Sequence, residues 1–210
     1  MSIPQEFQET RPTEIARLIA EYPLACIVAH TTSGLIATHL PMLLKDQTCL
    51  VGHMACANEL FTQVKAGQEV LCIFKGEDAY ISANDYPSKQ IDHQKVPTWN
   101  YQVLHVHGTI EFFHDQKTKL AALGQLTQQQ ERKTYGKAAW KMADAPRDYV
   151  LGLLEDLVVF NIQIGTIQAI SKLSQDKTAS DQAGVQLALQ QRDQLKLAAC
   201  MQNTHKKPLK

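Results

Sequence analysis

His105 and His107, two residues apart in "VPTWNYQVLHVHG" (96–108), have the spacing of a metal-binding pair. Side chains at i and i+2 of a strand leave the same face. His30, His39 and His53, each in another strand-like run, can supply a third ligand. No carboxylate stands at a matching spacing, and the pair also reads as hydrogen-bonding histidines on a barrel face. No metal ligand is assigned from it. Just ahead of the pair, Trp99, Asn100 and Tyr101 bring aromatic rings and an amide to the mouth of the same strand.

Two other clusters suit an anion. "THLP" (38–41) and "GHMACAN" (52–58) each set a histidine beside small residues where a strand ends or bulges. The start of a following helix offers unpaired backbone N–H groups, which a phosphate fits. Turn chemistry explains the same residues equally well. "AYISANDYPSK" (79–89) ends a strand with Tyr80, Ser82, Asn84, Tyr86 and Lys89, groups that suit a flat heterocycle or a barrel rim. "KLSQ" (172–175) is a short polar cluster. Phosphate loops, dinucleotide-binding glycine motifs, the zinc-protease helix motif and the nucleophile elbow are all absent. With no nucleophile beside an evident base, chemistry here would have to be carried by a cofactor.

The elements that must position these groups are mostly strands. A helix is expected over 13–22, then strands over 24–31 and 35–44 joined by Thr32-Ser33-Gly34. Pro41 places the second of these at an edge or a bulge. A third strand covers 49–54, followed by a helix over 58–67 that Asn58 can cap and Gly67 can end. Residues 69–76 and 79–83 read as two strands, 84–96 as a polar loop, and 99–113 as one long strand. Helices follow over 116–131 and from Pro146 to Leu157, with 132–143 ambiguous between them. A strand over 158–170 and a terminal helix from Asp181 complete the pattern. Strands joined by short turns, with helices interrupting rather than alternating, do not build a parallel sheet. They close into a barrel to remove their edges. The expected fold is mainly β with peripheral helices, an antiparallel barrel.

The 210-residue chain is long enough to bury about 70% of its unfolded surface. Its five cysteines form no C-x-x-C pair, and four lie in apolar runs as small hydrophobes. No run approaches the ~18–20 apolar residues of a membrane span, and the N-terminus lacks the pattern of a signal peptide. No membrane association and a cytoplasmic location are expected. Lys+Arg and Asp+Glu both number 21, so the formal net charge is zero, which disfavours a strong nucleic-acid footprint.

Taken in order, "THLP", "GHMACAN", "DAYISANDYPSK", "VPTWNY" and "KLSQ", with "IPQEF" (3–7), resemble the PaiB family of FMN-binding negative transcriptional regulators. The resemblance runs to about residue 190, with "VPTWNY" its most specific block. It implies a split β-barrel of the pyridoxamine-phosphate-oxidase-like type, a homodimer holding FMN in a groove between subunits. Carried onto this chain, it implies His53, Ala55 and Asn58 at the phosphate, with Thr38 and His39 on the adjoining strand. Trp99 and Asn100 would meet the flavin ring, Ser82 its edge, and Lys172 the phosphate. Where family members continue with Asn-Pro, this chain has Asn58-Glu59, which sets a carboxylate near the phosphate unless it faces solvent. The domain expectation is a barrel over 1–175 and a C-terminal helical extension over 176–210.

Three functions fit this frame: a flavin-binding regulator, an FMN-dependent oxidoreductase acting on a small molecule, and a haem- or metal-handling protein using His105 or His107. No helix-turn-helix with a basic recognition helix is present, and the only basic run is His205-Lys206-Lys207. Direct DNA contact is therefore not expected, unless a dimer gathers Lys89, Lys95, Arg132, Lys133 and Lys137 on one face.

Overall fold

A computed structural model of the chain describes residues 3–202, and the basic run at 205–207 lies outside them. The strands are β1 (Leu24–Thr31), β2 (Gly34–Lys45), β3 (Cys49–Ala55), β4 (Gln68–Ile81), β5 (Thr98–Phe113) and β6 (Leu157–Lys172). The helices are α1 (Pro12–Glu21), α2 (Glu59–Gln63), α3 (Lys89–Asp92), α4 (Gln116–Tyr135), α5 (Arg147–Glu155), α6 (Ala179–Gln191) and α7 (Leu195–Gln202). The strands close in the order β1-β2-β3-β6-β5-β4, and the pairings of β1 with β2 and β4, and of β3 with β2 and β6, are antiparallel. This is the antiparallel barrel with peripheral helices that the strand pattern predicts.

The β1–β2 hairpin turns at Gly34, whose φ of +113° suits glycine. The Thr31 hydroxyl donates to the Gly34 carbonyl at 2.9 Å. Pro41 sits at the last β1–β2 pair, opposite Leu24, just before Met42 opens the β2–β3 pairing opposite Gly52. A residue without an N–H is thus placed where the strand changes partners.

By internal contacts the chain divides into two units. One comprises Ala16–Phe74 and His105–Ile167. Its interior holds Ile27, Met42, Leu50, Val106, Ile110 and Phe160, all fully buried. Gly52 makes room for the Phe160 ring: a Cβ there would stand 2.3 Å from Phe160 Cζ. α4 covers the other face of β2, β3 and β6, where Ala122 and Leu126 pack with Leu43, Val51 and Val159. The buried Lys119 ammonium donates to the Leu154 carbonyl of α5 at 2.7 Å.

The other unit takes in the N-terminal residues to Ile15, Lys75–Leu104 and the C-terminal residues from Gln168. Here Val185, Leu189, Leu197, Ala198 and Met201 of α6 and α7 pack on Ala79, Ile81, Tyr86 and Leu173. The buried Asp181 carboxylate accepts from the Ser88 backbone N–H at 3.0 Å and from its hydroxyl at 2.8 Å. A long polar loop is thereby tied to the terminal helices.

Four elements differ from expectation. β4 is one strand rather than two: its buried residues are Val70, Cys72 and Phe74, then Ala79 and Ile81. The burial phase slips by one residue through Gly76-Glu77-Asp78, as a bulge produces, while the strand runs on unbroken to Ile81. α2 ends at Gln63, because Val64 is already extended, and Gly67 (φ +79°) turns the chain into β4 instead of ending a helix. α3 lies inside the segment expected to be loop. The terminal helix breaks into α6 and α7 at Asp193, which takes φ +60°.

Candidate functional site

Strand register sorts the residues expected at a phosphate. Residues directly opposite across a sheet share a face, and faces alternate along each strand. Leu43 pairs with Val51, so His39, His53 and Ala55 lie on that face, while Thr38 lies on the face of Met42 and Gly52. His39 and Ala55 are exposed and His53 is half-buried. Asn58 follows β3 as the cap of α2. Its carbonyl accepts from the Leu60 N–H at 2.9 Å, and its amide donates to the Thr38 hydroxyl at 3.5 Å. The structure therefore joins Thr38 with Asn58 and sets His53 and Ala55 on one face of β3, while His39 lies in the part of β2 paired with β1, opposite Cys26.

His53 is the chemically distinctive member. Its Nδ1 is buried without a hydrogen-bond partner, and leaving such an atom unsatisfied costs about 1–3 kcal/mol. Burial pushes the His53 pKa below its ordinary value, so the ring is neutral at neutral pH and offers one donor and one acceptor nitrogen. α2 has only five residues, and Asn58 already occupies one of its free N–H groups. Its dipole is correspondingly small, so the helix start by itself offers little attraction to an anion. The Glu59 side chain is exposed and faces solvent.

Within the other unit, Trp99 is 53% exposed and Tyr80 48%. Their rings stand edge to face at 6.0 Å and 72°. Asn100 points the opposite way and is fully buried. Its amide donates to the Ser174 hydroxyl at 2.9 Å, within the "KLSQ" cluster. Two residues on, the buried Gln102 amide donates to the Ser171 hydroxyl at 3.0 Å. Asn100 therefore presents nothing on the Trp99 face. The Ser82 hydroxyl accepts from the Asn84 N–H at 3.2 Å and closes a capping box with Asp85. The Lys172 ammonium donates to the Thr98 hydroxyl at 2.7 Å and lies 5.7 Å from the Phe7 ring centre. Tyr86 is a core residue, 1% exposed.

His105 and His107 do share a face, both half-buried and alternating with buried Leu104, Val106 and Gly108. Burial and the neighbouring His107 lower the His105 pKa. The Glu69 carboxylate stands 3.9 Å from His107 Nδ1. Among the described residues no group of three or more His, Cys, Asp or Glu side chains is arranged to hold a metal ion. Nor, among them, is any helix long and apolar enough to cross a membrane.

Residues 1–166 match the family model described as "Putative FMN-binding domain". Over 189 residues the chain is 31% identical to the Bacillus subtilis protein "Protease synthase and sporulation protein PAI 2", covering 88% of this chain and 87% of that one. The chain belongs to this FMN-binding family. It carries an FMN-binding domain in a split β-barrel. Solved structures of low sequence identity share the fold. The FAD and heme binding protein of Mycobacterium smegmatis superposes with a TM-score of 0.59 at 16% identity, covering 84% of this chain and 78% of that one. The flavocytochrome Anf3 of Azotobacter vinelandii gives 0.59 at 12% identity, covering 80% and 72%.

Proposed function

We propose that this chain is a flavin-dependent negative regulator of transcription that takes the FMN phosphate on the β3 face carrying His53 and Ala55, with His39 of β2 as a further contributor. The unpartnered Nδ1 of His53 carries the proposal, since a phosphate-bearing ligand would complete a hydrogen bond the chain leaves open. Ala55 keeps the approach narrow in side-chain bulk, and exposed His39 supplies a second imidazole. Thr38 and Asn58 act by position: their mutual hydrogen bond and the Asn58 cap fix the turn between β3 and α2. Bound FMN would supply redox chemistry; the chain's own groups bind and orient it.

Trp99, with Tyr80 at its edge, is the aromatic surface of its unit suited to a flat heterocycle. Asn100 serves that surface from the buried side by fixing the start of β5 through Ser174. Ser82 and Lys172 hold local structure.

The regulatory role and the homodimer are what the resemblance to the PaiB family implies, and two observations bear on them. Leu24 and Leu35, at opposite ends of the β1–β2 hairpin, are 61% and 75% exposed, apolar side chains that a second copy would cover. The zero formal net charge gives little for duplex DNA to hold, so regulation proceeds without specific DNA contact by the isolated protein. Three measurements test the proposal. The purified protein should show flavin absorption bands or acquire them with FMN. It should sediment as a dimer at micromolar concentration. In a mobility-shift assay at physiological salt it should give weak, sequence-independent binding; a discrete, salt-sensitive complex with one sequence would show a direct DNA-binding repressor instead.

A further inference from the structure

A cavity of about 580 Å³ runs along α4, remote in sequence from every residue assigned to FMN above. That volume is within the roughly 300–1,000 Å³ of small-molecule sites. One wall is the α4 stripe that recurs every four residues, with Leu120, Gly124 and Arg132 among its members. The other is the segment after the helix, contributing Lys137, Trp140 and Lys141. Gly136, at φ +57°, ends α4 and starts that segment. The Trp140 N–H donates to the Glu131 carboxylate at 2.9 Å and the Lys141 N–H to the Asp144 carboxylate at 2.9 Å. The second wall is thus built rather than frayed, and both nearby acids are engaged with backbone.

The lining has a definite chemistry. It contains Arg132, Lys137 and Lys141 and no acidic residue. Leu120, the indole of Trp140 and Met142 supply apolar surface. Gly124 is the informative position: a mid-helix glycine weakens the helix, and a Cβ added here would meet nothing within 4 Å. Its missing side chain leaves space at the wall, and no packing constraint requires a glycine there.

We propose that this groove binds a small organic anion, a carboxylate, sulfonate or phosphate carried on a flat apolar body, at a site separate from FMN. The cations would meet the anionic group and Trp140 the apolar part. The site gives a flavin-binding regulator a place to sense a second small molecule.

The test is calorimetric titration of the FMN-saturated full chain with naphthalene-2-sulfonate, compared with neutral naphthalene-2-sulfonamide. The sulfonate should bind, and the sulfonamide about tenfold or more weakly. Gly124→Leu, which fills the groove, should abolish sulfonate binding while its melting temperature and FMN affinity stay near wild type. Should that variant fail to fold, the Lys137→Ala/Lys141→Ala double variant decides, with a loss of about tenfold expected. Absence of sulfonate binding at millimolar concentration, equal binding of both probes, undiminished binding to the variants, or displacement of the sulfonate by FMN would each overturn the proposal.

Discussion

β5 and β3 both bury polar side chains, with opposite outcomes. On β5, Asn100 and Gln102 are almost wholly buried, and each amide meets a serine hydroxyl, at 2.9 Å and 3.0 Å. On β3, the His53 ring is half-buried and its inner nitrogen meets nothing. A satisfied buried network rigidifies the structure around it, while a lone unsatisfied group costs stability unless something else returns the hydrogen bond. On the proposed reading, the amides of β5 hold the fold, and the half-buried imidazole of β3 is the group whose missing hydrogen bond a ligand would return.

The largest effect should come from breaking the satisfied side. Asn100→Ala removes both hydrogen bonds between Asn100 and the Ser174 hydroxyl in the core and should destabilise by about 1–3 kcal/mol, read as a drop of several degrees in melting temperature. Adding Ser174→Ala should cost less than the sum of the two single changes, because the second removes the orphan left by the first. An Asn100→Ala protein that melts like wild type yet loses flavin would move Asn100 from scaffold to site.

Trp99→Ala should have the opposite signature. The ring is largely exposed and its loss leaves no cavity, so the melting temperature should hold while flavin affinity falls by about 0.5–1.5 kcal/mol, the usual worth of an aromatic contact beyond its area. A silent flavin titration would remove Trp99 from the site.

The smallest effect is on pH dependence. Burial holds the folded-state pKa of His53 below its unfolded value. As pH falls through the ordinary histidine value of about 6.5, the unfolded chain takes up the proton first, so stability present above that pH is lost below it. His105 is shifted the same way and contributes with the same sign. Melting temperatures at pH values on either side of that window should fall on acidification, and less steeply in His53→Gln. An identical slope in the variant would mean that His53 is not the buried, neutral group described.

Much of the fold could be read from residue order, and the reasons are local. The alternation through Tyr101, Val103, His105 and His107 is a period-two signal that the half-buried face of β5 reproduces. The hairpin at Thr32-Ser33-Gly34 carried its own turn chemistry. β4 was harder: Gly76-Glu77-Asp78 looks like a turn, and only the folded strand shows the chain passing through it with a one-residue slip in burial. The candidate site was legible as a set of residues but not as an arrangement. Thr38 and His39, or Trp99 and Asn100, are adjacent in sequence and so leave opposite faces of a strand. Which face is open depends on what covers the other. Asn100 in particular is defined by Ser174, a partner 74 positions away.

The most direct test of the central claim, that His53 receives the FMN phosphate, compares FMN with riboflavin, which lacks the phosphate, in flavin-fluorescence titrations of wild type and His53→Gln. A hydrogen bond to a charged group is worth about 1.5–3 kcal/mol. The wild type should therefore prefer FMN strongly, and the variant should lose most of that preference while binding riboflavin as before. An unchanged ratio of FMN to riboflavin affinity in a folded His53→Gln protein would contradict the account.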